Sequence, residues 1–281
     1  MRIATVTLTR LGNKYLREFV NHYRSLGVDK MYFYDNNHEN EPKVNEVLQD
    51  YADEGFVEII PYDYISHEGE ESTQHRAYRD FYANHGNEFD YIGFVDDDEY
   101  LIINSGKSIN EFFENELYQD RNGVCFPMIN FCDSGVIVND KNTRLDVYTK
   151  IKNRTPILSN SFYKTFVKGG INVCYYEKSY DGGISIYSQL QHVPVVDDKL
   201  YNNFVDCDGH DIYNWITQEM TVNGYIKHFP TGCIDDYITI KAKRGWERPQ
   251  EDVKFDYEYF IKYNDHTEEK YNYFIEHMKS E

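Results

Sequence analysis

Four consecutive carboxylates, Asp96, Asp97, Asp98 and Glu99, close the apolar run from Tyr91 to Val95, and a second apolar run, Tyr100 to Ile103, follows at once. Like charges packed this closely are costly unless a cation sits among them. Alternate residues of an extended segment point to one side, so Asp96 and Asp98 can share a divalent ion. Hard oxygen donors in a partly hydrated site suit Mg2+ or Mn2+. A solvated acidic turn would use the same residue types. The flanking apolar runs argue otherwise, because they hold the acids at the tip of a strand, where open α/β sheets place their ligands.

The elements that must position this tip alternate strand and helix through the first hundred residues. Ile3 to Leu8 reads as a strand, and Leu16, Phe19, Val20, Tyr23 and Leu26 recur at helical spacing until Gly27 ends the helix. Lys30 to Tyr34 is a second strand ending in Asp35-Asn36-Asn37, Pro42 opens a helix, and Phe56 to Ile60 is a third strand. Ser72 caps a helix running to about His85, and 91–95 is the fourth strand. Repeated βαβ units imply a Rossmann-like, mostly parallel central sheet with helices on both faces. After Glu99 the alternation stops. Ser108 with Glu111 forms a capping box, and Val124 to Phe131, Tyr163 to Val167 and Ile184 to Val193 read as strands in a mixed, loop-rich second half. Beyond Pro249, Phe255 to Tyr263 and Tyr271 to Met278 read as two amphipathic C-terminal helices. With no repeat and no low-complexity linker, 1–281 reads as one α/β domain.

Composition narrows the function classes. A formal net charge of -19 over 281 residues disfavours nucleic acid and electrostatic docking on anionic lipid. No apolar stretch approaches the roughly 20 residues of a membrane span, although peripheral membrane contact stays open. The start of the chain reads as a strand, not a leader, and the five scattered cysteines have no CxxC pair, so the expectation is a cytoplasmic protein with reduced thiols. The 27 tyrosines suit both a sugar-binding cleft and a core.

Four segments, in order, resemble the motifs of glycosyltransferase family 92 and its bacterial relatives. They are His22-Tyr-Arg-Ser-Leu-Gly-Val leading to Tyr32-Phe-Tyr-Asp-Asn-Asn; Gln74 to Tyr78; Phe94-Val-Asp-Asp-Asp-Glu-Tyr-Leu; and His228 through Gly245. The last departs from the family pattern at Phe229, Gly232-Cys233 and Asp235-Asp236. The resemblance implies a glycosyltransferase A-type fold, with a nucleotide-sugar half at 1–105, an acceptor half at 106–248 and a helical extension at 249–281. It also implies transfer of a hexose, galactose being a plausible one, from a UDP-sugar to a glycan acceptor with inversion, as in surface polysaccharide or glycan synthesis, with Mn2+ or Mg2+ as cofactor.

The resemblance also distributes roles. Asp98 is the expected direct metal ligand, Asp96 holds the ion through water or binds the ribose, and His228 is the expected distant ligand. Asp97 and Glu99 are either strand-end acceptors or, for Glu99, a contact to the acceptor sugar. Asp35, with Asn37, either binds uracil or ribose or makes an Asx-turn cap. Arg10 lies against the base or diphosphate, or pairs with surface acids; Arg76, Lys241 and Arg244 stand near the motifs, the last two as cations for the diphosphate. The base that deprotonates the acceptor falls to Asp236 or Asp235, because they share a motif with His228; Asp133 and the Asp206, Asp208, Asp211 cluster are further carboxylates.

Two other classes fit the acids. A sugar-phosphate nucleotidyltransferase shares the architecture, but Thr9-Arg10-Leu11-Gly12-Asn13 is a poor match to its Gly-rich loop. A calcium-dependent carbohydrate-binding protein would lack the βαβ order. Finally, Pro230-Thr231-Gly232, paired acids and Lys241, Lys243 and Arg244 ending at Gly245 suggest that 228–246 is a ligand-gated lid and not a strand pair.

Overall fold

A computed structural model describes residues 1–66, 71–152, 162–174, 176–180, 183–187, 190–197, 199, 201–213, 221–244 and 255–278. The expected alternation is present: β1 (Ile3–Thr9), α1 (Asn13–Leu26), β2 (Lys30–Asp35), α2 (Asn45–Asp53), β3 (Val57–Pro61), α3 (Thr73–His85) and β4 (Tyr91–Phe94). Then come β5 (Glu99–Ile103), α4 (Ile109–Phe113), β6 (Gly123–Asn130), β7 (Tyr163–Lys168), β8 (Val173–Cys174), β9 (Tyr176–Tyr180), β10 (Gly183–Tyr187) and β11 (Val195–Val196). β12 (Phe204–Asp206), β13 (Gly224–His228), α5 (Ile234–Asp236), a π-helix (Tyr237–Ala242), α6 (Tyr257–Tyr263) and α7 (Glu268–Met278) complete the order.

The central sheet runs β3-β2-β1-β4-β7-β6-β13-β5, with β12 beside β6. β1, β2, β3 and β4 are mutually parallel, as are β6, β12 and β13, while β7 and β5 run against their neighbours. This is the mostly parallel α/β sheet that the alternation implied. β5 follows β4 directly in sequence yet pairs at the far end of the sheet, against β13. The sheet therefore curls, and the Asp96–Asp98 turn spans the gap. Phe229 N donates to Asp98 O at 3.0 Å, which ties the end of β13 to that turn.

Local signals explain the helices. On α1, Tyr15, Leu16, Phe19, Val20 and Tyr23 form one buried face, and Gly27 takes φ 92° to close the helix. Phe19 meets Tyr23, Phe33 and Tyr100 edge-on, and each such buried side chain contributes roughly 1.5–3 kcal/mol. Ser72 and Ser108 cap α3 and α4, the latter with the full Ser108–Glu111 box. The helix expected from Pro42 begins only at Asn45. The strand expected over Ile184 to Val193 is shorter: β10 stops at Tyr187 and Leu190 to His192 lie in a turn. All five cysteines are free, and Cys125, Cys132, Cys207 and Cys233 are buried. No helix among the described residues is long and apolar enough to cross a membrane. Tyr15, Tyr23, Tyr78, Tyr100, Tyr118, Tyr148 and Tyr237 are fully buried, so tyrosine serves here largely as a core strut with a polar tip.

His192 shows how that interior constrains pH. Its Nδ1–H donates to Tyr163 O at 2.7 Å, and burial, reinforced by Lys164, holds its pKa at about 4 against the ordinary 6.5. Unfolding must therefore take up a proton at mildly acid pH, so this contribution is complete above about 6.5 and is lost as pH falls towards about 4. Denaturant titrations of His192→Gln should show a shallower loss of stability across that interval than the parent chain; equal slopes would contradict this account.

Candidate active site

The acids at the tip are compensated one by one. Glu99 and Lys164 are both almost fully buried, with Lys164 Nζ 2.9 Å from Glu99 Oε2 and 3.1 Å from Asp96 Oδ2. Glu99 Oε2 also accepts from Asp96 N at 2.9 Å, closing the turn on itself. Gln74 Nε2 on α3 donates to Asp96 Oδ1, and Tyr78 OH approaches the same oxygen. Burial disfavours ionisation of Asp96, but Lys164 outweighs it and holds the carboxyl below its usual range. Burial and the Asp96 charge push Glu99 up, while Asp96 and Glu99 keep buried Lys164 charged.

Asp97 points the other way. It accepts from Thr9 Oγ1 at 2.5 Å and lies 3.3 Å from Arg244 Nη1, and its carbonyl accepts from Arg144 Nη1 at 2.8 Å. Gly12 lies against it, so a Cβ there would collide with Asp97 Oδ2 and Thr9 Oγ1. Arg144 is itself buried, stacked 4.1 Å from the Tyr15 ring centroid. Its loop is held by Glu18, which accepts from Arg144 N, Leu145 N, Thr143 Oγ1 and Tyr100 OH.

Asp98 faces His228. His228 ends β13 and stands opposite Glu99 on β5 and Asn130 on β6, with Nε2 3.7 Å from Asp98 Oδ1 and Nδ1 2.6 Å from Asn130 Oδ1. Burial holds the His228 pKa at about 4, although Asp98 pulls it upwards. One ligand atom each from Asp98, Glu99 and His228 falls within 4.8 Å of the others. Glu99 is already committed to Lys164, which leaves Asp98 and His228 as the pair most available to a cation. A carboxylate with an imidazole fits Mn2+ or Mg2+ that keeps water and substrate oxygens in its remaining positions.

Of the four expected cations, Lys241 and Arg244 lie beside the acids, Arg10 reaches them through Arg244, and Arg76 has other partners. Lys241 lies on the π-helix and Arg244 follows it; Arg244 is held charged by Asp97, then Asp98 and Asp96, against the cost of burial. Burial and the neighbouring Arg244 lower the Lys241 pKa, with Asp98 and Asp96 opposing. Arg10 pairs with Glu41 at 2.6 Å and donates to the Arg244 carbonyl at 3.4 Å. Arg76 stacks 4.1 Å over Tyr64 and lies 3.9 Å from Asp80.

Other expected residues occupy different places. Asp35 makes the turn cap: Oδ1 accepts from Asn37 N and Nδ2, and Oδ2 accepts from Val44 N at 2.9 Å. Asn37 Oδ1 in turn accepts from Leu11 N at 2.8 Å. Asp236 is buried and receives Tyr15 OH at 2.5 Å, Tyr148 OH at 2.6 Å and Lys14 Nζ at 2.7 Å. Asp235 accepts from Tyr273 OH at 2.9 Å and so turns towards α7. Asp133 pairs with buried Lys270 at 2.5 Å; Asp206 caps its own turn through Asp208 N and His210 N; Asp211 pairs with Arg121. The lid expectation is corrected at its start, since His228 ends a strand paired on both sides. From Ile234 the segment is helical and pinned to α1 through Asp236, while Gly245 and residue 246 lie outside the described residues.

Sequence reasoning missed Lys164, Arg144 and Asn130. A lysine inside the apolar strand Tyr163–Lys168 was a signal for the first; Arg144 lies in a loop with no pattern to single it out.

A hollow of about 510 Å³ opens where β2 and β3 end, lined by Asn36, Asn37, His38, Glu39, Lys43, Asp63 and Ile65. Arg10, bound to His38 and Glu41 on one side and to the Arg244 carbonyl on the other, connects it to the acids. Another hollow of about 620 Å³ follows β3 and α2 and includes Asp35 and Lys43 in its lining; the four tip acids line neither hollow.

The family model for glycosyltransferase family 92 matches residues 9–168, from the last residue of β1 to the end of β7. The chain belongs to glycosyltransferase family 92. That membership favours sugar transfer over the nucleotidyltransferase and lectin readings. His228, Lys241 and Arg244 lie beyond the matched span. No curated protein matches the chain. Among solved structures it is similar to S. aureus TarS at 13% identity and TM-score 0.31, over 57% of this chain and 26% of that one. For TarS 1-349 the identity is 13% and the TM-score 0.32, over 57% of this chain and 43% of that one. The chain spans less than half of either, and a likeness of that size carries no functional argument.

The Lys164 bridge generates a direct test. Removing one partner of a buried pair strands the other charge, at about 3–5 kcal/mol. Lys164→Met should lower stability by that order in chemical denaturation, and adding Glu99→Gln should recover part of it. A cost below about 1 kcal/mol would place the bridge among the near-neutral surface pairs.

Proposed function

We propose that this glycosyltransferase moves a hexose, with galactose the leading candidate, from a UDP-sugar to a glycan acceptor with inversion, using Mn2+ or Mg2+ held by Asp98 and His228. The observation that carries this reading is the meeting of Asp98 and His228 at the strand tip, 3.7 Å apart, with Lys241 and Arg244 beside them. A bound divalent ion would act as a Lewis acid on the departing diphosphate, where negative charge grows.

The chain's own residues supply the rest. Lys241 and Arg244 offset negative charge at the diphosphate, and Arg10 positions Arg244 through its carbonyl. Asp96 is the most exposed of the four tip acids, its side chain 32% accessible, and accepts the ribose hydroxyls. The nucleoside occupies the hollow at the ends of β2 and β3, whose wall Asp35 holds by fixing Asn37. Arg76, at the N-terminal end of α3, flanks the same side. Residues 1–105 thus supply the nucleoside side of the donor site, and 106–248 shape the acceptor side while also contributing His228, Lys241 and Arg244 to the metal and diphosphate. For Asp236 we propose a bracing role in place of the acceptor base, because Tyr15, Tyr148 and Lys14 already occupy its oxygens; Asp235 faces α7.

Two measurements test this. With Mn2+ present, UDP should raise the melting temperature more than GDP, CDP or ADP at equal concentration, since only a ligand bound to the native state shifts it. Equal shifts would mean that the diphosphate alone is read. In the second, Asp98→Asn should lose metal-dependent transfer while its melt stays within a few degrees of the parent. Full turnover by that variant, or by the parent in EDTA, would overturn the metal assignment.

A further inference from the structure

We infer that Asn130 is a positioning residue that fixes the tautomer of His228, holding the proton on Nδ1 and leaving the Nε2 lone pair directed at Asp98. The inference rests on the proposed reading of Asp98 and His228 as the metal pair. Its support is the register of three strands. His228 stands opposite Asn130 in the parallel β6–β13 pair and opposite Glu99 in the antiparallel β5–β13 pair. Phe131 N donates to His228 O at 2.8 Å, so the backbones of the two residues cannot slide past each other without breaking the ladder.

Within that frame the side chains meet at 2.6 Å, His228 Nδ1 to Asn130 Oδ1, and Asn130 is buried. An amide oxygen only accepts, so the nitrogen facing it carries the hydrogen. In a neutral imidazole the other nitrogen is then a bare acceptor. Nε2 lies 3.7 Å from Asp98 Oδ1, beyond hydrogen-bond reach, which matches two electron-pair donors facing one another across a place for a cation. A ligating histidine usually has its second nitrogen held by such a partner. An amide does this without adding a fifth negative charge beside Asp96 to Glu99.

The tautomer can be read without metal. Long-range 1H–15N correlation of metal-free, 15N-labelled protein at mildly alkaline pH, with the His228 signals assigned by their loss in His228→Gln, should show the Nδ1–H form. Asn130→Asp, which still accepts, should keep that form; Asn130→Leu should shift towards Nε2–H. Free-Mn2+ titration followed by electron paramagnetic resonance should then show Asn130→Leu binding about 10–100-fold more weakly, and Asn130→Asp at least as tightly as the parent. An Nε2–H form in the parent, or unchanged Mn2+ affinity in Asn130→Leu, overturns the inference. If Asn130→Leu does not fold, the parent and Asn130→Asp spectra still decide. A parent chain that shows the Nδ1–H form but binds no Mn2+ removes the metal reading and leaves the tautomer assignment standing.

Discussion

Four adjacent carboxylates at the end of a buried strand are the constraint on which this structure depends. Asp97, Asp98 and Glu99 are each almost entirely buried, and unpaired buried charge is among the most expensive things a fold can contain. The chain meets that cost with cations drawn from separate regions: Lys164 from β7, Arg144 from the loop after β6, and Lys241 and Arg244 from the segment after β13. The compensation is unequal. Glu99 and Asp96 share a direct bridge, whereas Asp98 is faced by a neutral imidazole at 3.7 Å and by more distant cations. That inequality singles out Asp98 as the carboxylate best able to accept a mobile cation.

The segments that resemble family motifs are easier to understand as supports for this turn. His22 Nε2 meets Leu101 O at 2.8 Å, and Tyr23 OH bonds both Glu99 O and Leu101 N, so neighbouring residues of α1 hold the backbone just past the acids. Gln74 reaches Asp96 from α3. The closing segment contributes His228, Lys241 and Arg244 and is anchored by Asp236 to Tyr15 and Lys14 on α1. α1 thus braces the site from two sides while contributing none of its expected metal ligands. The π-helix carrying Lys241 is a rare geometry often found at functional sites.

What the sequence disclosed follows the range of the interactions involved. The acidic tip, the buried face of α1, the Ser72 cap and the Ser108–Glu111 box are written in residues within a few positions of one another, and each could be read directly. Lys164 pairs with Asp96 across 68 positions and Arg144 with Asp97 across 47, contacts that no local pattern encodes. The same limit explains Asp236. Its place in a motif suggested chemistry, but Tyr15 and Tyr148, 221 and 88 positions away, take up its oxygens. Asp35 was open to two readings from local sequence, and the turn cap is the one whose partners, Asn37 and Val44, are also local.

The central claim is that a divalent cation binds between Asp98 and His228 at the β4 tip. The most direct measurement is a crystal structure of the chain grown with Mn2+ and UDP, with anomalous data collected above the manganese edge. The account predicts one strong anomalous peak within coordination distance of an Asp98 carboxylate oxygen and of His228 Nε2. A well-ordered UDP with no peak there, or with a peak held by other residues, would contradict it.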